Sequence, residues 1–399
     1  PCRWWGGLER RRPRRERREN GLLSVWGTTV LCQFGDWTLA GMGWGLSRFS
    51  LTKAVPLAIS RGTTSAVQRL ELSIHRDGIT GRGETGGFET GHRAYSTDAV
   101  EQELQALLPR LEGLDPSVAQ GFEPLLADLT PPARCALDLA LWDWHGRRLQ
   151  APVWQLWGLD GGRSVATSVT LGLATVAQAL QRLQRWHDLM PVTRVKLKLG
   201  SPDGLEHDRA LLSAVADATA GDDRRPAAEL QVDANGGWTL EQARSMLPLL
   251  QERGVVLLEQ PLAPQADPDQ DTAGFAALHG QCPMPLVADE SCWGLEDLLR
   301  LAPYVDGVNL KLLKSGGLSQ AWLMARVAQQ LGLDLMVGCY SDSRLLNGAA
   351  AQLLPLIRWP DLDSHLNLID DPFDGLPLEG DRLMPSPRPG LGIEQRETI

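Results

Sequence analysis

Six charged residues stand at the ends of short apolar runs in the second half of this chain. "RVKLKLG" carries Lys196 and Lys198, "ELQVDAN" Asp233, "GVVLLEQP" Glu259, "PLVADES" Asp289 and "GVNLKLL" Lys311. From Lys198 onward the steps are 35, 26, 30 and 22 residues, each about one strand plus one helix. Three carboxylates gathered at one place repel one another unless a cation joins them. Hard oxygen donors suit one Mg²⁺ per site, or Mn²⁺, which keeps positions open for substrate oxygens. Two lysines on opposite sides of one carbon can remove a proton from one face and return it on the other, which inverts the centre. A metal near each ammonium, and Lys196 beside Lys198, would lower the lysine pKa toward that of a general base. The metal would also stabilise the enediolate left when a proton leaves the carbon next to a carboxylate. One such residue alone is as a rule structural. The order Lys-x-Lys, Asp, Glu, Asp, Lys at this spacing is far more specific.

The elements that must position these groups follow from periodicity. From about residue 165, strand-like runs alternate with amphipathic helical ones: "ATSVTLGL", the five runs above, "LDLMVGC", and an eighth expected near "LDSHLNL". Eight βα units of this length fit a closed parallel barrel, whose catalytic residues sit at the C-terminal strand ends. Strands 2 and 6 then face each other across the ring, so Lys198 and Lys311 flank whatever lies between. Upstream, residues 46–85 read as strands and 98–157 as helices, with Asp98 and Pro131–Pro132 as helix-start signals. This is an α+β unit. The turn-rich tail is expected to rejoin it.

Composition bounds the rest. The 399 residues carry a net charge of −10, which disfavours nucleic acid and anionic membranes as partners. Residues 1–41 hold eight Arg and four acidic residues, a net of +4, leaving −14 for the remainder. "ERRRPRRERREN" reads as a disordered extension. The apolar "GLLSVWGTTVLCQF" is 14 residues, too short for a membrane span. Six scattered cysteines without a C-x-x-C fit a reducing, cytoplasmic setting.

The segments "RVKLKLG", "VDANGGWT", "LLEQPL", "VADES" and "VNLKLLKSGG" resemble the enolase superfamily, muconate-lactonizing subgroup. The resemblance runs from about 45 to 395 and includes "ALDLALWDWHGRRLQAPVWQLWG" and "PGLGIE". It implies an α/β fold: a (β/α)7β TIM-like barrel with an α+β capping domain formed by the N-terminal segment and the C-terminal tail. The expected bounds are 1–41 for the extension, 42–160 for the cap, 161–368 for the barrel and 369–399 for the returning tail. It also implies Asp233, Glu259 and Asp289 as Mg²⁺ ligands, Lys198 and Lys311 as the acid/base pair, and Lys196 as their helper.

Within the subgroup, "PDLDSHL" discriminates. Asp361 and Asp363 are similar to the pair with which dipeptide epimerases hold a substrate's α-ammonium. Arg61, in "ISRGTT", is similar in position to an arginine that meets the acidic side chain in Ala-Glu epimerases. Ser168 would line the same pocket. "VGCYSDSRL" departs from the pattern, with Asp342 in place of a glutamate and Tyr340 in place of a methionine. The implied activity is inversion at the C-terminal residue of a small-molecule dipeptide of the L-Ala-D/L-Glu type, by a possible homo-oligomer. Alternatives are o-succinylbenzoate synthase or a cycloisomerase on the same scaffold, or a non-catalytic binding barrel. Lys314, Glu290, His92 and His365 read as structural.

Overall fold

The computed structural model describes residues 43–221 and 226–397; the expected extension over 1–41 lies outside them. The chain opens with an antiparallel sheet of β1 (Gly43–Ile59), β2 (Gly62–Arg76) and β3 (Ile79–Thr85). Two short strands follow, β4 (Phe88–Glu89) and β5 (Ala94–Tyr95), then helices α1 (Thr97–Leu111), α2 (Glu123–Asp128), α3 (Pro131–Leu149) and α4 (Val153–Leu156). Ser96, not Asp98, caps α1, by accepting from the Ala99 N–H. Thr130 precedes two prolines at the start of α3, where missing N–H groups cost nothing. The sheet lies directly on α3. A side chain at Gly83 would come within 2.1 Å of the Ala136 carbonyl, so only glycine permits this approach.

The barrel comprises β6 (Val169–Leu171), α5 (Val176–Leu189), β7 (Arg194–Lys198), α6 (Leu205–Thr219), β8 (Glu229–Asp233), α7 (Leu240–Glu252), β9 (Val255–Glu259) and α8 (Pro268–His279). It continues with β10 (Leu286–Ala288), α9 (Leu295–Leu301), β11 (Gly307–Leu310), α10 (Leu312–Ser315), α11 (Leu318–Gln330), β12 (Asp334–Gly338), α12 (Arg344–Ala351) and β13 (Trp359–Asp361). The eight strands run parallel in sequence order. The ring closes where the Ser168 N–H donates to the Pro360 carbonyl at 2.9 Å. Strands covered on both faces explain the near-continuous apolar runs. Thr175 and Thr239 begin α5 and α7 with reciprocal capping boxes to Gln178 and Gln242.

The eighth strand, expected near "LDSHLNL", is Trp359–Asp361 directly before it, and Ser364–Asn367 within it is a turn of 3₁₀ helix. Beyond it come β14 (Phe373–Asp374), β15 (Leu378–Glu379), β16 (Arg382–Leu383) and β17 (Glu394–Gln395). This tail returns to the cap as expected: the Leu391 N–H donates to Asp143 and the Val153 N–H to the Gly390 carbonyl.

Candidate active site

Parallel register sets the site. Lys198 pairs with Asp233 and Asp233 with Glu259, so β7, β8 and β9 bring three charged groups to one level. Below them Leu257, Val287, Met336 and Trp359 pack as one apolar layer. Glu259, Asp289 and Asp361 each follow a member of that layer by two residues, hence on the same inward face. Carboxylate oxygens of Asp233, Glu259 and Asp289 lie within 4.8 Å of one another, and all three residues are buried.

The lysines ring these acids. Lys198 Nζ lies 2.5 Å from Asp233 Oδ2. Lys196 Nζ lies 2.6 Å from Glu259 Oε2, 2.7 Å from Asp361 Oδ2 and 3.1 Å from Asp233 Oδ2. On the other side, Lys311 Nζ is 2.6 Å from Asp289 Oδ2, and Lys314 Nζ is 2.6 Å from Asp289 Oδ1. Lys311 also sits 4.6 Å from the centre of the Tyr340 ring. β12 leaves room here, because a side chain at Gly338 would meet Asn309 and Lys311.

Charge pulls the ionisable groups apart. Burial pushes Asp233 up, but Lys198 and Lys196 outweigh it and hold the carboxyl at about 2. Burial and the Asp233 charge push Glu259 up to about 8. Burial disfavours both ammonium groups, yet Asp361 and Glu259 hold Lys196 well above its ordinary value, and Asp289 does so for Lys311. Here the carboxylate charge falls on the ammonium groups themselves. The donor set fits a hard divalent cation. Glu259 Oε2 and Glu290 Oε2 are buried without a hydrogen bond, the close Lys196 ammonium meeting the former without the needed alignment. Three buried carboxylates with oxygens within 4.8 Å of one another are what Mg²⁺ coordination uses.

Several residues outside the expected set support it. Asn309 Nδ2 donates to Glu259 Oε1 at 2.7 Å, and the Asn235 N–H to Asp233 Oδ1 at 2.8 Å. Asn309, on β11, lies two residues before Lys311, so strand alternation could have found it. Asn235 lies past the end of β8 with a positive φ and acts here through its backbone N–H, which alternation does not reveal. Lys314, set aside as structural, shares Asp289 with Lys311.

The expected substrate-binding residues divide. Ser168 Oγ donates to Asp361 Oδ1 at 2.6 Å, and the Thr170 N–H donates to Asp363 Oδ2 at 2.7 Å, all within the buried mouth. Burial, then Asp361, pushes the Asp363 carboxyl up to about 6. Arg61 pairs with Glu89 and with Glu290, each at 2.9 Å, and donates to the Asn235 carbonyl at 2.8 Å. Asp342 is likewise engaged, by Arg69 Nη2 at 2.6 Å and by the Tyr340 N–H at 2.9 Å. Both engagements have one physical reason: a buried charge takes the nearest complementary partner. An aromatic wall completes the mouth, with Phe88 of the cap 4.7 Å from Tyr340 and 5.3 Å from Trp293 between ring centres.

Comparison with known proteins agrees with this architecture. Residues 47–158 match the mandelate racemase / muconate lactonizing enzyme N-terminal domain, and 174–399 match the enolase C-terminal domain-like family. A hydrophobic dipeptide epimerase of a Flavobacteria bacterium is 35% identical over 353 residues, 88% of this chain and 97% of the relative. The L-Ala-D/L-Glu epimerase of Escherichia coli is 34% identical, covering 77% and 88%. Among solved structures, the Enterococcus faecalis dipeptide epimerase complexed with Mg and L-Leu-L-Tyr superposes with a TM-score of 0.79 at 27% identity, covering 88% and 99%. With cap and barrel both matched by the family's two domain models over most of its length, the chain belongs to the mandelate racemase / muconate lactonizing enzyme branch of the enolase superfamily.

Proposed function

We propose that this protein is a Mg²⁺-dependent dipeptide epimerase that inverts the α-carbon of the C-terminal residue by 1,1-proton transfer. The observation that carries the reading is the pair of buried lysines on strands four apart, β7 and β11, with three buried carboxylates between them. Asp233, Glu259 and Asp289 would hold the ion. When bound, Mg²⁺ supplies positive charge to the substrate carboxylate and so makes the adjacent C–H acidic. Lys198 takes the α-proton from one face and Lys311 returns a proton on the other; the roles reverse for the opposite epimer. Lys196, held by Asp361 and Glu259, keeps the acids of the β7 side in place and adds positive charge beside the reacting carboxylate.

Asp361 and Asp363 would receive the substrate's α-ammonium. Asp363 suits this role, since a cation would relieve the strain that burial and Asp361 impose on its carboxylate. This also favours epimerisation over β-elimination by an o-succinylbenzoate synthase or cycloisomerase, whose substrates lack that ammonium. Arg61 clamps the β1–β2 turn to the mouth through Glu89 and Glu290, so its guanidinium is already engaged. A hydrophobic reacting residue fits the aromatic wall, in keeping with the relatives named for hydrophobic dipeptides.

Incubation with Mg²⁺ in D₂O tests the reading. L-Ala-L-Leu and L-Ala-L-Glu should both exchange the α-hydrogen of the second residue, the leucyl substrate faster. A broad dipeptide panel showing neither exchange nor inversion would refute it. Titration of Mg²⁺ into the protein should show one site, lost in Glu259→Gln.

A further inference from the structure

The cap strand β1 crosses the mouth above β6 and β13. Its backbone is tied there by Val55, whose N–H and carbonyl both meet Asn367, and by the Thr52 N–H, which donates to Asp370. This brings Lys53 into the molecule. Lys53 is only 6% exposed, and among the described residues it makes no ion pair. Burial lowers its pKa below that of an ordinary lysine. Leaving an ammonium buried and unpaired is costly, so natural proteins rarely keep one without use.

Lys53 borders a cavity of about 20 Å³ that also touches Thr170, Arg182, Tyr340 and Asp363. Arg182, on α5, lies 4.3 Å over the Trp186 ring and among the described residues also lacks an ion pair. Asp363 is the one acid on the cavity wall. The Tyr340 hydroxyl is buried with no hydrogen-bond partner. Two cationic side chains, one carboxylate residue and a tyrosine whose hydroxyl is unused therefore line one space. An apolar side chain would leave all of them unsatisfied. A ligand with a single positive charge would meet Asp363 and leave both cations facing it. A group bearing one ammonium and one carboxylate matches the lining.

We propose that this cavity is a subsite for a carboxylate on the amino-terminal moiety of the substrate, held by Lys53 and Arg182 with a hydrogen bond from Tyr340. An acidic first residue, Asp or Glu, supplies that carboxylate while its α-ammonium rests on Asp363. An N-terminal acyl group ending in a carboxylate supplies the same anion without the ammonium. The cavity holds about one water as it stands. A three-atom carboxylate needs more room than this, which requires Lys53 and Arg182, the two long side chains that line it, to change rotamer. The inference rests on the reading of Asp363 as the ammonium acceptor, and extends it from the reacting residue to its neighbour.

The test uses the Mg²⁺-loaded full chain and an isosteric pair, L-Glu-L-Leu and L-Gln-L-Leu, with N-succinyl-L-leucine as a third ligand. Calorimetry should give at least tenfold tighter binding of the acid than of the amide. That preference should fall below threefold in Lys53→Met and in Arg182→Gln, and return in Lys53→Arg. Tighter binding of N-succinyl-L-leucine than of L-Glu-L-Leu would assign the anion to an acyl group, with the same subsite. Equal affinity for acid and amide in the parent protein, or a preference that both Lys53→Met and Arg182→Gln leave intact, would overturn the proposal. Exchange in D₂O, followed on the same samples, separates the two readings. An acid preference in binding with no exchange on any dipeptide keeps the subsite and refutes the epimerase.

Discussion

At the scale of single residues, the two-base arrangement makes an asymmetric prediction. Lys198 and Lys311 stand on strands four apart, each against its own carboxylate at 2.5 and 2.6 Å. Each therefore serves one face of the α-carbon. Lys198→Ala and Lys311→Ala should each reduce inversion by about a thousandfold or more, in line with loss of a general base and an acid together. Each should retain deuterium exchange on the one epimer whose proton faces the surviving lysine. Equal residual exchange of both epimers in both variants would refute the two-base assignment. His365 supplies a second prediction, about stability. It is 1% exposed, its Nδ1 accepts from Asn347 at 2.9 Å, and burial with the nearby Arg344 pushes its pKa down to about 3. The unfolded chain, with an ordinary histidine near 6.5, binds the proton first, so stability falls as pH drops below about 6.5 and keeps falling toward 3. Between pH 7 and 5 this one residue should cost about 2 kcal/mol. Urea unfolding of His365→Gln should show a loss over that interval smaller by about this amount, even if the variant is less stable at pH 7. Equal pH slopes would count against a neutral buried imidazole.

At the scale of elements, the strand ends were legible because a barrel repeats one unit. A charge at the end of each apolar run declares itself by spacing, and the acids and lysines of β7 to β11 all fell where the repeat put them. The eighth strand broke the rule for a local reason. β13 has three residues, one a proline, while the alternating "LDSHLNL" that follows folds as a 3₁₀ turn. Partners joined across long sequence separations were not legible at all. Arg61 meets Glu290, 229 residues away, and Arg69 of β2 meets Asp342, 273 residues away. The second pairing locks cap to barrel. Arg69, 1% exposed, also donates to the Ser341 and Gly87 carbonyls, and Glu84 of β3 lies 3.7 Å from it while capping the start of α12 through Ser343 and Leu346. Arg69→Met would leave Asp342 and Glu84 buried without their cation, a loss of about 3–5 kcal/mol. Adding Asp342→Asn should restore part of that stability, because one uncompensated charge is then gone. If the double variant is as unstable as the sum of the single ones, the two residues are not coupled.

At the scale of the molecule, the cap is not one continuous stretch of chain, and its stability depends on the last residues described. Asp143 of α3 joins three segments: its Oδ1 accepts from the Leu391 N–H at 2.8 Å, and its Oδ2 from the Arg82 N–H and from Arg147 Nε, both at 3.0 Å. Arg147 in turn holds the Ile393 carbonyl at 2.7 Å and Glu394 at 2.8 Å. Leu391 and Ile393 are buried, and Ile393 lies so close to Gly348 of α12 that a side chain there would strike it. The tail thus sits between a cap helix and a barrel helix. Ending the chain after Pro389 would expose two large apolar side chains' worth of surface, about 1.5–3 kcal/mol each. It would also leave the Asp143 carboxylate short of a donor, at about 1–3 kcal/mol more. The cost falls on the contact between cap and barrel, not on the barrel's own ladder. Scanning calorimetry should therefore show the intact chain melting in one transition, and the shortened chain in two, the earlier one belonging to the cap. Because the cap strand β1 carries Lys53 to the cavity that Asp363 lines, substrate affinity should weaken at temperatures between those two transitions while Mg²⁺ still binds the barrel. A shortened chain that melts once, at the temperature of the intact one, would show that the tail carries none of this coupling.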